Sequence, residues 1–170
     1  LCGHRLHAAT TIHAAIAAVP HRFGNATVRA TVGLVRTPSE ILDESLTIAV
    51  VGASRHAEKA AYAVPAQLRR YGWHIIPVNP HADEILGERC YPTLAEVPVP
   101  IDLVNVFRPS AQAADVVREA VAVGAKAVWL QQGIVSPEGR RIAEAAGLDY
   151  VEDACTAVVR AVGRLTKTPA

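Results

Sequence analysis

The chain has 170 residues, 51% of them apolar and 5% aromatic, with a formal net charge of +1. That is room for one ordinary domain with a core of small and branched side chains, and too little for two large ones. A charge so near neutrality excludes bulk attraction to nucleic acid or to an anionic membrane, so any anion site must be local; no run of about 18 uninterrupted apolar residues marks a membrane span.

Cys2, Cys90 and Cys155 lie far apart, with no CxxC or Cys/His ligand spacing, so neither a disulfide framework nor a structural zinc site is signalled, and a reducing cytoplasm is the expected location. Of the seven histidines, five lie at or before His56 in irregular spacing and none forms an HExxH pair, so no metal site is expected.

Residues 1–36 carry no acidic side chain and one weak apolar stretch around Ile12 to Val19. The composition is like that of a targeting peptide, but too few basic residues precede the apolar part and a cleavage pattern is lacking. The segment is expected to be a poorly structured extension. The domain proper then runs over 37–165, and 166–170 forms a tail.

Thr37-Pro38-Ser39-Glu40 reads as a capping box with proline at the first helical position, and a short helix to about Glu44 follows. Ile48-Ala49-Val50-Val51 fits a strand buried on both faces of a parallel sheet. Gly52-Ala53-Ser54-Arg55-His56 comes next, small residues followed by cationic or titratable ones. Such a loop either meets a pyrophosphate with its backbone N–H groups or is an ordinary turn in which Gly52 supplies conformational freedom.

Ala60 to Tyr71 is helix-compatible and closes at Gly72; Pro65 is acceptable only in a first turn, which sets the expected start of the helix proper there. Trp73 to Val78 is the second strand, stopped by Asn79-Pro80, and Pro77 inside it suggests a bulge or strand end. Residues 81–99 form a connection with a helical turn at Thr93 to Glu96. Ile101 to Phe107 is the third strand, Ser110 to Val123 a helix closed by Gly124, and Ala127 to Gln131 the fourth strand. A helix opens at Ser136-Pro137 and closes at Gly147, Leu148 to Val151 is the fifth strand, and a last helix covers about Thr156 to Leu165.

Strands alternating with helices predict an α/β fold, a Rossmann-like doubly wound parallel sheet of about five strands with expected order 3-2-1-4-5. The ligand crevice then opens at the carboxyl ends of the strands, between strands one and four. A nicotinamide or flavin dinucleotide fits poorly, because GxGxxG is missing and Asn79-Pro80 stands where an acidic residue would hold the ribose. Arg55, His56, Lys59, His81 and Arg108 instead suit a nucleotide bearing extra phosphate.

GAS at 52–54, AAYAVPAQLRRYG at 60–72, PVNP at 77–80, DLVNVFRP at 102–109, GAKAVWLQQGI at 124–134 and DAC at 153–155 resemble, in order, the single-domain CoA-binding proteins and the nucleotide-binding domain of the succinyl-CoA synthetase α subunit. The resemblance runs from about Thr37 to Arg164. It implies a Rossmann-like domain that binds coenzyme A or an acyl-CoA, with Gly52, Ala53, Ser54 and Arg55 at the phosphates and Asn79 and Pro80 beside the adenosine. Phe107, Arg108, Gln131 and Gly133 would line the rest of the crevice.

No set of nucleophile, base and orienting group emerges, and no carboxylate pair is placed for acid/base work. The synthetases that share this domain need a second domain and an ATP-grasp partner, for which this chain has no room. The expected function is therefore a non-catalytic CoA-binding or sensing module, with no nucleic-acid or membrane partner and no protein partner that the sequence identifies. The alternative is an NAD(P)-binding oxidoreductase or redox-sensing regulator, with Arg55 on a 2′-phosphate. Cys155, beside Asp153, reads as a small buried residue, because a neighbouring carboxylate does not activate a thiol.

Overall fold

The computed structural model describes residues 36–167. The expectations for the extension over 1–36, save its last residue, and for the tail over 168–170 lie outside the described residues. The elements run in the order α1 (Pro38–Glu44), β1 (Thr47–Val51), α2 (Ala60–Arg70), β2 (His74–Val78), β3 (Glu84–Ile85), β4 (Glu88–Arg89), a 3-10 turn (Leu94–Glu96), β5 (Leu103–Val106), α3 (Ser110–Ala122), β6 (Ala127–Leu130), α4 (Pro137–Ala146), β7 (Asp149–Val151) and α5 (Thr156–Gly163). The capping box forms as read: the Thr37 hydroxyl accepts from the Glu40 N–H at 3.3 Å, and the Glu40 carboxylate accepts from the Thr37 N–H at 2.7 Å.

The main sheet has five strands, all parallel, in the order β2-β1-β5-β6-β7, while β3 and β4 form a separate antiparallel hairpin. The α/β doubly wound class is as expected, but the order is corrected. Counted as the five strands of the sequence, it is 2-1-3-4-5 and not 3-2-1-4-5, so the reversal lies between β1 and β5, the first and third strands. Pro77 gives the reason. The expected order would seat β2 between two neighbours, where a residue without an N–H breaks a ladder. At the edge, Pro77 pairs in regular register with Val50 and its carbonyl accepts on the outer side from the Tyr91 N–H at 3.0 Å, so no donor is missed and no bulge is needed.

The alternation of each strand sorts the core into two layers. Ala49, Val51, Val104, Val106, Val128 and Leu130 face α3 and α4, where Ala113, Val116, Val117, Ala120 and Ala143 are buried. Ile48, Val50, Leu103 and Trp129 face the other way, onto Ile41 and Leu42 of α1, Leu68 of α2 and Val159 of α5. Trp129 is fully buried, as expected of a core aromatic, and its indole N–H donates to the Ala154 carbonyl at 2.7 Å. No helix among the described residues is long and apolar enough to cross a membrane.

At the amino ends of the strands Asp102 acts as a staple. Its carboxylate accepts from the N–H groups of Leu46 and Thr47, each at 3.0 Å, and pairs with Lys126 at 2.7 Å. Burial pushes its pKa up, but the Lys126 ammonium and the two amides outweigh that and hold the carboxyl below the ordinary carboxylate range.

A second correction concerns α2, which begins at Ala60 and contains Pro65 as an interior residue instead of starting there. Within a helix the residue at 65 should donate to the carbonyl at 61. Proline has nothing to donate, and the Ser54 N–H takes the Ala61 carbonyl instead, at 3.1 Å.

Candidate functional site

The carboxyl ends of β1 and β2 carry the loop that the sequence singled out. Gly52 turns the chain with φ of +86° and donates its N–H to the Val78 carbonyl at 3.0 Å. A Cβ at this position would lie 2.9 Å from the Arg108 Cδ and 3.3 Å from the Phe107 carbonyl, so close approach as well as conformation requires glycine. Beyond Gly52 the amides alternate in use. Ser54 donates to Ala61 and His56 donates to the Ser54 hydroxyl at 3.1 Å, whereas Ala53 and Arg55 have no internal backbone acceptor among the described residues. The amides of Gly52, Ser54 and His56 are therefore committed, to β2, to α2 and within the loop, so the phosphate-facing donors expected from Gly52 and Ser54 are taken.

The helix makes up the difference. Lys59 is the N-cap residue of α2 and forms no side-chain cap; the amides of Tyr62 and Ala63 bond back to the Lys59 carbonyl, which leaves those of Ala60 and Ala61 without a helical acceptor. These unpaired donors carry the positive end of an eleven-residue helix.

Two cavities flank Gly52 and Asn79, each of about 340 Å3. The one toward α2 is lined by Gly52, Ala53, Ser54, Arg55, His56, Lys59, Ala61, Asn79, His81 and Phe107, and no carboxylate lines it. Glu58 comes near, 3.6 Å from the His56 Nδ1, with both side chains exposed. The cavity toward α3 is of another character: Val51, Val78, Pro80, Pro92 and Val116 supply apolar walls, and Arg108, Gln112, Asp115 and Glu119 the polar rim.

Asn79 stands between the two. Its side-chain N–H donates to the Ala53 carbonyl at 2.8 Å and its Oδ1 accepts from the His81 N–H at 2.8 Å, so one side chain fixes the loop after β1 to the loop after β2. Arg108 bends over Gly52 and donates from Nε to the Gln112 Oε1 at 2.9 Å. Phe107 is half-buried, packing on the core while one side lines the α2 cavity.

Gly52, Ala53, Ser54, Arg55, Asn79, Pro80, Phe107 and Arg108 are thus brought together, and Gln131 and Gly133 stand apart on the far side of β5, lining neither cavity. The Gln131 side chain is buried and donates to the Asn105 Oδ1 and the Thr156 hydroxyl, each at 2.8 Å, tying β5 and β6 to the start of α5. The Gly133 N–H donates to the Asp153 carboxylate at 2.7 Å, and Asp153 itself has φ of +53°.

Farther off, the Tyr150 hydroxyl lies 2.9 Å from the Glu152 carboxylate and 3.1 Å from the Ser136 carbonyl. Burial and the Glu152 carboxylate together keep the phenol protonated well above its ordinary range. Cys155 is the half-buried N-cap residue of α5, and Cys90 is buried, its thiol pushed up by that burial.

A larger hollow, about 610 Å3, lies elsewhere, between α2 and the β3–β4 hairpin, where Arg69 is already paired with Glu88 at 2.8 Å. Among the described residues no group of three or more His, Cys, Asp or Glu side chains could hold a metal ion. Arg55, His56, Lys59 and His81, the cations and histidines that the sequence gathered at the crevice, do line the cavity toward α2. Ala61 is the lining residue that carried no signal, since its amide matters and its side chain does not.

Residues 46–161 match the model of a CoA binding domain. An uncharacterised protein of Bacillus subtilis, YneT, is 40% identical over 123 residues, covering 72% of this chain and 91% of that one. The ADP-forming acetate–CoA ligase II of Archaeoglobus fulgidus is 33% identical over 100 residues, which cover 58% of this chain and only 15% of the ligase. Among solved structures, a hypothetical protein from Pyrococcus horikoshii superposes with a TM-score of 0.73 at 34% identity, covering 75% of this chain and 90% of that one.

Proposed function

The chain belongs to the CoA-binding domain family, and from that premise we propose that it binds coenzyme A or an acyl-CoA in the crevice at the carboxyl ends of the strands, as a non-catalytic binding or sensing module of the cytoplasm. The observation that carries this reading is the uncapped start of α2, opening with Arg55 and Lys59 onto a cavity that no carboxylate lines. Backbone donors at a helix start, the helix dipole and two exposed cations make a site for a diphosphate.

In this reading the pyrophosphate lies against the amides of Ala60, Ala61 and Arg55, with Arg55 and Lys59 neutralising it. Gly52, Ala53 and Ser54 keep the floor free of bulk, Asn79 and Pro80 lie beside the adenosine, and Phe107 and Arg108 border the path across β5. Gln131 and Gly133 shape the far wall through the bonds they make to Asn105, Thr156 and Asp153. The relatives named as acetate–CoA ligases are several times longer, and the part matched here is the part proposed to do their CoA binding.

Titration calorimetry of the purified chain with CoA, acetyl-CoA, NADH and NADPH tests the reading. Saturable binding of CoA or its acetyl ester, with no comparable response to the nicotinamides, is the expected result. Tight NADPH binding without a CoA response would reverse it in favour of an oxidoreductase or redox regulator.

A further inference from the structure

We infer that Pro65 is a positioning residue for the anion loop: it leaves the Ala61 carbonyl without its helical donor, and that carbonyl becomes the anchor of the Ser54 amide. The consequence for binding rests on the proposed function; the anchoring itself does not.

Proline inside a helix removes the donor that the carbonyl four residues earlier would use, and its ring presses that carbonyl outward. In α2 the carbonyl concerned belongs to Ala61, in the first turn, on the side that lines the α2 cavity. The Ser54 N–H reaches it at 3.1 Å. The bond holds more than one residue, because the Ser54 hydroxyl in turn accepts from the His56 N–H at 3.1 Å. Arg55, between the two, is left with an uncommitted amide and an exposed side chain at the cavity.

The loop is thereby tied at three successive residues: Gly52 to β2, the Ala53 carbonyl to the Asn79 amide, and Ser54 to α2. The first two ties fix its base; the third fixes Ser54, and the Lys59 N–H, donating to the His56 carbonyl at 3.0 Å, closes the outward part at its far end. Pro65 is buried, so it has no role as a surface rigidifier, and a helix interior is otherwise a costly place for it. A residue with an N–H at 65 would compete with Ser54 for the same oxygen. It would also strengthen the helix while loosening the loop.

Pro65→Ala and Pro65→Val both restore the donor, and the valine keeps most of the buried volume, which separates loss of the anchor from a packing defect. Three readouts apply: amide hydrogen exchange of Ser54 by NMR without ligand, the thermal midpoint, and the calorimetric Kd for CoA and inorganic pyrophosphate. Both variants are expected to keep or raise the midpoint, speed Ser54 exchange about tenfold and weaken both ligands about fivefold.

Stability and affinity moving in opposite directions is what a merely structural proline would not produce. Ser54 exchange as slow as wild type, or faster exchange with unchanged affinity, overturns the inference and leaves the CoA reading standing. A wild-type chain that binds neither ligand overturns the reading of the site, and with it any role of Pro65 in binding.

Discussion

Replacing Gly52 by alanine tests the junction on which both cavities depend. At φ of +86° a side chain is strained regardless of space, and the added methyl would meet the Arg108 Cδ at 2.9 Å and the Phe107 carbonyl carbon and oxygen at 3.3 Å. Arg108 could swing aside only by giving up its bond to Gln112, and the Phe107 carbonyl is backbone, held by the bond from its own N–H to the Val51 carbonyl at 2.9 Å. The backbone strain costs about 1 to 2 kcal/mol, and a contact that cannot relax brings the total to about 2 to 3 kcal/mol. With an m-value of about 2 kcal/mol/M, the urea midpoint should fall by about 1 to 1.5 M. CoA affinity, measured well below the melting transition, should fall about tenfold as the shared wall moves. Stability within about 0.5 kcal/mol of wild type would refute the conformational argument. Lost stability with intact CoA affinity would refute the placement of the ligand across Gly52.

Arg55→Ala should weaken CoA by about 1.5 to 3 kcal/mol, as expected for a charge-assisted contact; calorimetry with dephospho-CoA then locates it, since equal losses place Arg55 at the pyrophosphate and a loss confined to CoA places it at the 3′-phosphate. Asp102→Asn should flatten the acid limb of stability: a carboxyl whose folded value is lowered contributes above its unfolded value, near 4, and loses that contribution as pH falls through the lowered folded value. Urea melts between pH 2 and pH 7, with wild type and variant converging at the acid end, would bear this out, and a constant gap at all pH values would contradict it. Tyr150→Phe should cost about 1.5 to 3 kcal/mol by denaturant, the worth of a hydrogen bond to a charged group, with no change in affinity, since Tyr150 lines neither cavity; a loss of affinity larger than the loss of stability would count against it.

How much of this could be read from the sequence depended on whether the signal was local. The capping box at Thr37–Glu40 and the αL closure at Gly147 are written within a few residues, and both formed as read. The apolar run at 48–51 gave a buried strand for the same reason. Strand order is a non-local property, and hydrophobic period carries nothing about which strands are neighbours; the one residue that did, Pro77, registered as awkward and was not used to place β2 at an edge. Side-chain direction depends on that order as well, so Gln131 read as a crevice residue although it turns inward onto Asn105 and Thr156. The loop proposed to hold the anion was singled out by its small residues and cations. The bond between Ser54 and the Ala61 carbonyl was out of reach, because it follows from a missing donor at Pro65 in an element expected to begin there.

Pro77 also has a bearing on how this molecule behaves beside copies of itself. An open outer strand is a template on which another chain can continue the sheet, and such growth needs several donors in a row. By the alternation of β2, His74 and Val78 turn their hydrogen-bonding groups inward to the β1 side, Pro77 has no donor, and the outward groups of Pro77 and Asn79 are taken by Tyr91. Ile75 is left with the single outward N–H of the strand, and one rung does not make a ladder. The residue that interrupts the pattern of β2 therefore makes this edge of the sheet a poor template for edge-to-edge aggregation at high concentration.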